Sequence, residues 1–294
     1  MIIGSHVNFG KEQLLGATKQ AISFGANTFM FYTGAPQNTV RKDIDDRLTK
    51  EAIQLMKENN MDIKDVICHA PYIINLANKE KEEAWHFSID FLKREIKRVE
   101  ALGVTKVVVH PGNALKLDKE KALKNISEAL NEVLEKESQV KILIETMAGK
   151  GSECGQSIEE IQSILKQIEK KDRIGVCLDT CHLHDSGIDI GQFEAYLKAF
   201  DEQIGIEKIG CIHLNDSKNI LGSKKDRHAN LGYGMVGFEK LISVAYNETL
   251  KNVPKILETP WINEYPPYKI EIEMLKKKEF NPHLEDEIKF LYSK

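Results

Sequence analysis

The feature of the sequence that most constrains its fold is a repeated unit, a short apolar run followed by a helical pattern. Eight such runs, rich in valine, isoleucine and leucine, end 28 to 45 positions apart, which leaves room for a crossover helix each time. Apolar runs without polar alternation are typical of parallel strands that are buried on both faces. The predicted strands are Ile2–Gly4, Thr28–Tyr32, Val66–His69, Lys106–His110, Lys141–Glu145, Gly175–Asp179, Gly210–His213 and Lys255–Glu258.

Eight strand–helix units in one chain predict a (β/α)8 barrel, the TIM barrel, with its active site at the C-terminal face of the strands. The intervening segments carry apolar residues every three or four positions, as at Ile161 and Leu165, which follow the capping pair Ser157 and Glu160. An open doubly wound sheet is the alternative. However, no GxGxxG motif follows the first strand, and the glycine-rich segment at Gly149 lacks the ending of a phosphate-binding loop. We therefore expect all 294 residues to form one barrel domain.

Side chains of the metal-binding type stand where these predicted strands end, or in a nearby loop. They comprise five of the nine histidines and four carboxylates, and both groups are ligands that zinc accepts. Because all strands of such a barrel point the same way, we expect these side chains to converge at one face, although they span 189 positions. The nine candidate ligands are His69, His110, Glu145, Asp179, His182, His213, Asp226, His228 and Glu258.

Electrostatics favours metal ions among these residues, because four carboxylates and five imidazoles are costly to gather unless cations neutralise them. One zinc takes about four ligands, so nine ligands indicate two or three ions and at least one bridging carboxylate. Two ions about 3.5–4 Å apart form the clamp used in phosphoester hydrolysis. The formal net charge of −4 is atypical of a nucleic-acid-binding protein, but three divalent ions add six positive charges and bring it to +2. That balance suits a phosphate substrate.

Composition predicts a cytoplasmic protein without membrane contact. Hydrophobic residues make up 41% of the chain, yet no run approaches the roughly 18 apolar residues of a transmembrane helix. The N-terminal segment MIIGSHVNFG lacks the basic and apolar regions of a signal peptide. The five cysteines are an odd number and are expected to be reduced thiols. Cys177 and Cys181 are expected to be buried as small apolar residues.

The candidate ligands stand within the segments LDTCH, HLNDSK, DRHANLGYG and ILET, and in others along the chain. At these segments the chain resembles endonuclease IV, the family of zinc-dependent apurinic/apyrimidinic endonucleases. The resemblance runs over nearly the whole chain, from IIGSHV through FYTGAPQN, HAPYIINLAN, HPG and IETMAGKG to ETP. It implies a (β/α)8 barrel with three zinc ions, acting in base excision repair on duplex DNA that contains an abasic site. It also implies cleavage 5′ to that site, leaving a 3′-hydroxyl and a 5′-deoxyribose phosphate, and trimming of blocked 3′ ends.

The resemblance divides the ligands into three sets, with Glu145 as a bridge between two of them. It further implies that a zinc-held hydroxide attacks the phosphorus, that Glu145 and Asp179 fix the metals and orient this nucleophile, and that the third ion stabilises the leaving oxygen. The implied sets are His69, His110 and Glu145 for one zinc, Glu145, Asp179, His213 and Glu258 for the second, and His182, Asp226 and His228 for the third.

Contacts with DNA are also implied by the resemblance. Tyr72 matches a position that enters the damaged duplex beside the abasic site, and its neighbour Ile73 stands where some members carry leucine. Gln37 falls near a position where some members insert an arginine into the base stack. A neutral amide can fill that gap, but it cannot contact phosphate as a cation does. Lys224 and Arg227 belong to a basic loop, and we expect them to contact phosphate.

Two other functions are compatible with parts of the pattern. A metal-dependent sugar isomerase or epimerase can share this barrel, but it would need one or two metals and a proton-transferring base, so the third ligand set argues against it. A DNA-binding module without catalysis is disfavoured by the complete ligand set. We expect a monomer. Of the remaining histidines, three are expected outside the site and His6 either lines the pocket or packs beside it; the three are His86, His184 and His283.

Overall fold

A computed structural model describes residues 1–293 of the chain as a closed barrel of parallel strands. A bridge between His6 and Met30, in which the Val7 N–H donates to the Met30 carbonyl at 2.9 Å, joins the first strand to the second and closes the sheet. The predicted (β/α)8 fold is therefore confirmed. The barrel strands are β1 (Ile3–Ser5), β2 (Met30–Phe31), β3 (Ile67–His69), β4 (Lys106–Val109), β5 (Lys141–Glu145), β6 (Ile174–Asp179), β7 (Ile209–His213) and β10 (Lys255–Leu257).

All eight predicted strands are present, and their ends differ from the predicted ends by at most two residues. The helices that follow them cover the outside of the barrel. The helices are α1 (Gln13–Ser23), α2 (Asp46–Glu58), α3 (Glu82–Ala101), α4 (Lys119–Leu134), α5 (Ile158–Lys166), α6 (Thr180–Ser186), α7 (Phe193–Gln203), α8 (Phe238–Ala245), α9 (Tyr268–Lys277) and α10 (Leu284–Tyr292).

The strands are apolar on both faces because each face packs against a different layer. The side chain of Met30 points into the barrel, whereas Phe29 and Phe31 beside it pack under the helices. All the side chains of the inner layer are fully buried, and burying an isoleucine or leucine contributes about 1.5–3 kcal/mol. The inner layer consists of Met30, Ile67, Val108, Leu143, Cys177, Cys211 and Ile256.

The interval between the seventh and eighth barrel strands is the longest because the chain forms an extra hairpin there. Strands β8 (Asp216–Ser217) and β9 (His228–Ala229) pair antiparallel outside the barrel sheet. They enclose a loop, residues 218–227, which we call the basic loop. This hairpin is not apparent from the sequence, because strands of two residues are too short to show any periodicity. It matters for the site because Asp226 and His228 lie on it.

Two smaller predictions can be compared with the structure. Ser157 caps α5 by accepting the Glu160 N–H at 3.3 Å, but the Glu160 carboxylate accepts from the Gly155 N–H at 2.7 Å instead of from Ser157. Cys177 and Cys181 are both fully buried, as predicted, and within residues 1–293 the cysteines are unpaired. Among the helices of the same residues, none combines the length and apolar character that a membrane span requires.

Candidate metal centre

The structure brings all nine candidate ligands together at the C-terminal ends of the strands. Three groups consist of these residues alone, and within each group the potential ligand atoms lie within 4.8 Å of one another. Glu145 belongs to two of the groups. The groups are His69, His110 and Glu145; Glu145, Asp179, His213 and Glu258; and His182, Asp226 and His228. These are the same three sets that the sequence resemblance implied. Two further groups include cysteines: Cys177 and Cys211 with His213, and Cys181 with Asp179 and His228.

Glu145 is the centre of the arrangement. It is the last residue of β5, is almost fully buried, and has imidazole nitrogens on both of its carboxylate oxygens. Its Oε2 lies 3.0 Å from the Nε2 of His69 and 3.1 Å from the Nε2 of His110. Its Oε1 lies 3.0 Å from the Nδ1 of His213 and 3.4 Å from the Nδ1 of His182. A carboxylate that presents one oxygen to each of two ligand groups is suited to bridge two cations.

The second group is organised by an asparagine that the sequence analysis overlooked. Asn215 is buried two residues after His213 and donates its amide to the Oδ2 of Asp179 at 2.8 Å. Its Oδ1 accepts the backbone N–H of Glu258 at 2.8 Å, and the Glu258 side chain then lies 3.1 Å from the Nδ1 of His213. One side chain thus positions ligands on two different strands. The only available signal was its place in HLND, directly after a predicted strand end.

The third group joins the start of α6 to the hairpin. Asp179 caps α6 by accepting the His182 N–H at 2.7 Å, so the helix presents His182 to the site. The Nε2 of His182 lies 3.1 Å from the Oδ1 of Asp226, and the Nε2 of His228 lies 3.6 Å from the same oxygen. The Asp226 side chain is 30% exposed, whereas that of Glu145 is 1% exposed. This group is therefore the one nearest to solvent.

The histidine rings are oriented as metal ligands require. The Nδ1–H of His69 donates to the Ala70 carbonyl at 2.7 Å, and that of His182 donates to the Thr146 carbonyl at 2.9 Å. The Nδ1 of His228 lies 3.2 Å from the Glu258 carbonyl. Donation to a backbone carbonyl fixes the orientation of each ring and turns its Nε2 toward the carboxylates. The Nε2 of His228 is buried without a hydrogen-bond partner, which also fits a metal ligand.

The carboxylates and imidazoles of the site shift each other's pKa values toward their charged forms. Burial alone raises the pKa of Glu145, but the imidazoles of His213 and His110 outweigh it and hold the pKa well below its usual range. Burial lowers the pKa of His182, but Asp179 and the other nearby carboxylates raise it well above its usual range. For His110 too, Glu145 outweighs burial and raises the pKa. Glu145 therefore stays ionised, and any cation that binds must displace protons from the imidazoles of His110 and His182.

Of the four other histidines, three lie outside the site, as predicted, and His6 lines a pocket beside it. The ring of His6 lies 5.2 Å from that of Tyr32, which lies 5.0 Å from the ring of His69. Tyr32 and His6 line a cavity of about 450 Å³ with Pro36 and Phe9. The histidines outside the site are His86 and His283, which reach solvent, and His184, whose Nε2 lies 3.0 Å from the Asn219 carbonyl.

The predicted DNA contacts differ in accessibility. Tyr72 follows β3 and is 54% exposed, and Gln37, in the loop after β2, is exposed as well. Ile73 is half-buried, and its side chain packs against the outer apolar layer. Lys224 and Arg227 are exposed on the basic loop. Four of the five side chains, all except Ile73, are thus accessible to a binding partner at the face that carries the candidate metal ligands.

Comparisons with known proteins agree with this geometry. A family model described as "Xylose isomerase-like TIM barrel" matches residues 18–278. The chain is 47% identical over 295 aligned positions to the "Probable endonuclease 4" of Staphylococcus epidermidis, with 98% of this chain and 99% of that protein covered. It is 48% identical over 293 positions to the "Probable endonuclease 4" of Bacillus subtilis, covering 97% and 98% of the two chains.

Solved structures show the same relationship. The crystal structure of endonuclease IV from Thermus thermophilus aligns with a TM-score of 0.80 and 29% identity, covering 95% of this chain and all of that chain. A D-tagatose 3-epimerase-like protein aligns with a TM-score of 0.68 and 19% identity over 94% of this chain and 96% of its own. At that level of identity the second alignment shows only a shared barrel fold.

Proposed function

Because the chain belongs to the endonuclease IV family, we propose that it is a DNA-repair endonuclease that cuts duplex DNA at abasic sites. Cleavage falls on the 5′ side of the lesion and leaves a 3′-hydroxyl and a 5′-deoxyribose phosphate. The same centre trims blocked 3′ ends, because these also present a phosphodiester beside a 3′ terminus. The protein acts as a cytoplasmic monomer in base excision repair.

The observation that carries this proposal is the convergence of nine ligands into three groups, two of which share Glu145. Three zinc ions fit these groups at three or four ligands each, with Glu145 as the shared carboxylate. The donor set is all imidazole and carboxylate, and the rings turn a nitrogen toward the carboxylate oxygens, so that loss of a proton from the ring would leave both groups facing a bound ion. When bound, such ions supply a nucleophile at neutral pH and neutralise the charge of the scissile phosphate.

The chain's own residues then hold and orient these groups. Glu145 and Asp179 are anionic, buried and fixed, Asp179 by the Asn215 amide and the His182 N–H. They therefore keep the first two groups in register without side-chain motion. His182 and His228, joined by Asp226, form the more exposed group, which faces the oxygen that leaves. Ions held by these residues would lower the pKa of a bound water, so the site would not need a separate side chain as general base.

Recognition of the lesion depends on the loops around the centre. Tyr72 enters the duplex beside the abasic nucleotide, and Gln37 fills the gap that the missing base leaves, whereas Ile73 is half-buried and anchors this segment to the outer apolar layer. Lys224 and Arg227 contact phosphates, as exposed cations on the loop that carries Asp226. Extruding an abasic nucleotide costs less unstacking energy than extruding an intact one, and this difference contributes to selectivity.

The test uses a synthetic duplex with one abasic analogue, incubated without added magnesium, together with elemental analysis of the protein. We expect a single nick 5′ to the lesion, no nick in the intact duplex, and about three ions per chain, mainly zinc. Glu145→Gln removes the shared charge and is expected to abolish cleavage nearly completely. The matched control is Glu239→Gln, which changes an exposed glutamate of α8 and should leave cleavage unchanged. One ion or fewer per chain in active protein would contradict the metal assignment.

The recognition residues are tested separately from the ligands. Tyr72→Ala is expected to weaken binding to abasic duplex while the zinc content stays the same, because Tyr72 belongs to none of the ligand groups. Loss of zinc in this variant would show that the role assigned to Tyr72 is wrong.

The rival function is sugar isomerisation or epimerisation, since the D-tagatose 3-epimerase-like protein shares the barrel. Such a reaction needs one or two ions. It therefore does not explain the third ligand group, which consists of His182, Asp226 and His228. We therefore expect no interconversion of ketohexoses by the metal-loaded protein. Sugar turnover without nicking of the abasic duplex would favour the rival.

A further inference from the structure

Asp185 is a fully buried carboxylate that none of the roles described above uses. It lies in the last turn of α6, three residues after His182. Its Oδ1 accepts from the Ser217 hydroxyl at 2.6 Å. Its Oδ2 accepts from the Asn219 amide at 2.9 Å and from the backbone N–H of Asp226 at 2.8 Å. All three donors thus belong to the hairpin strand β8 or to the basic loop that follows it.

The basic loop adopts a conformation that its own residues do not favour. Lys224 and Asp226 have φ angles of 54° and 55°, in the left-handed region that residues with a side chain seldom occupy. The loop is closed at its base by the Lys218 N–H, which donates to the Arg227 carbonyl at 2.9 Å. Away from the base, the bonds to α6 hold it: the Lys224 N–H donates to the Asp185 carbonyl at 2.9 Å, beside the carboxylate bonds. The loop therefore depends on α6 for its shape.

Among the three residues of the most exposed ligand group, Asp226 depends most on this support. His182 is fixed by α6 itself, and His228 lies in strand β9. Asp226 lies in the loop, and its carboxylate meets only the rings of His182 and His228, at 3.1 and 3.6 Å, among the contacts of residues 1–293. The bond from its N–H to Asp185 ties it to the helix that carries His182. One buried carboxylate thus links two of the three ligands.

We propose that Asp185 is a positioning residue for the ion held by His182, Asp226 and His228, and that it sets how tightly this ion binds. The proposal rests on the proposed function only in that this group binds a metal ion. Residues that orient metal ligands from behind commonly change metal affinity by about 10- to 100-fold when they are replaced. Because Asp185 contacts neither Glu145 nor Glu258, the other two ions are expected to keep their affinity.

The variants separate the geometry of Asp185 from its charge. Asp185→Ala removes all three side-chain hydrogen bonds, including the one to the Asp226 N–H, and leaves the backbone bond from the Lys224 N–H to the carbonyl of residue 185 in place. Asp185→Asn can keep them, because its oxygen can accept the two N–H donors while its amide donates to the Ser217 hydroxyl. Asp189→Ala is the matched control, since Asp189 is a nearby half-buried aspartate whose side chain contacts Lys240 and the Gly191 N–H and not the loop.

The measurement is zinc content per chain across a series of buffered free-zinc concentrations. We expect wild type, Asp185→Asn and Asp189→Ala to retain three ions at concentrations where Asp185→Ala retains two. The third ion should return to Asp185→Ala at free zinc about 10- to 100-fold higher. A wild-type titration curve for Asp185→Ala would overturn the proposal, as would failure of Asp185→Asn to restore the third ion.

A further variant covers the case in which Asp185→Ala does not fold. Asn219→Ala removes one donor from a half-buried residue, and we expect it to weaken the third ion by a few-fold; an unchanged titration would then overturn the proposal. Different results refute the proposed endonuclease function and the positioning role of Asp185. A wild type with three ions that leaves abasic duplex intact refutes the endonuclease but not the positioning role. A wild type that nicks DNA with only two ions refutes the positioning role but not the endonuclease.

Discussion

Replacing Glu271 by glutamine should stabilise the protein at alkaline pH without changing its metal content. Glu271 lies on α9 and is fully buried. Burial raises its pKa from 4.5 to about 7, because it outweighs the hydrogen bonds from Thr259, Leu231 and Asn230 that favour the charged form. The folded protein therefore holds a proton on Glu271 that the unfolded chain releases at lower pH.

The sign follows from proton binding. Below pH 4.5 the folded and unfolded states are both protonated and the effect vanishes. Between pH 4.5 and 7 the unfolded chain loses the proton while the folded state keeps it, so the free energy of unfolding falls as pH rises. Above pH 7 the full cost is present. A pKa difference of about 2.5 at about 1.4 kcal/mol per unit gives about 3 kcal/mol. With an unfolding entropy of about 0.6 kcal/mol/K for a chain of this length, this corresponds to a melting temperature about 5 °C higher.

Glutamine can keep the hydrogen bonds of Glu271. The side-chain oxygen can accept from the Leu231 N–H and the Asn230 amide, which now lie 3.0 and 3.2 Å from Oε1, and the new amide can donate to the Thr259 hydroxyl. The assay is urea unfolding of both proteins from about pH 5.5 to about pH 8.5, a range that spans the folded-state pKa. Glu273→Gln, an exposed position on the same helix, is the control and should show no such pH-dependent gain. A gain of equal size at both ends of that range, or a loss of stability at the alkaline end, would refute the reasoning.

Three further predictions concern the site and its loops. Gln37→Arg should tighten binding to abasic duplex and steepen the salt dependence of log affinity by close to one unit, whereas Gln37→Ala should cost about 1 kcal/mol or less; an unchanged slope would remove the loop from the interface. Zinc affinity of the metal-free protein should fall as pH falls, because the raised pKa values of the ligand histidines let protons compete; calorimetry in buffers of different ionisation enthalpy should detect proton release on binding. Gly234→Ala should destabilise the protein by about 1–3 kcal/mol in urea unfolding, since a Cβ there would lie 2.3 Å from the Ser217 carbonyl oxygen and 2.4 Å from the Asp216 carboxylate. Stability equal to that of wild type would show that this loop moves to accommodate the methyl group at no cost.

The barrel and the ligand set could be predicted from sequence for a common physical reason. A parallel strand buried on both faces must be apolar throughout, so its end is visible where a polar residue first appears. In this chain that residue is a candidate ligand at several strands, for example His69, Glu145, Asp179 and His213. One pattern therefore marks both the strand and the site.

Other parts of the site could not be found in this way. Strands β8 and β9 are two residues long, and the basic loop between them has no periodicity. Its shape depends on left-handed residues and on hydrogen bonds to α6, which no local sequence pattern specifies. Asn215 stands at a strand end like the ligands, but only the structure shows that its amide bonds to Asp179 and that its oxygen accepts from Glu258.

Three buried carboxylates that are not candidate ligands share a role that is visible only in three dimensions. Asp185, Asp216 and Glu271 each accept backbone N–H groups from loops at the C-terminal face. Asp216 alone accepts five, from its neighbour and from the loop after β9. A carboxyl group has two oxygens with several lone pairs, so one buried side chain can accept from several backbone donors at once. The ligands can therefore sit on irregular loops and still be fixed. Asp185→Ala, which removes such an acceptor beside a ligand, should therefore alter the affinity for one ion, whereas Glu271→Gln, which keeps its acceptors, should not.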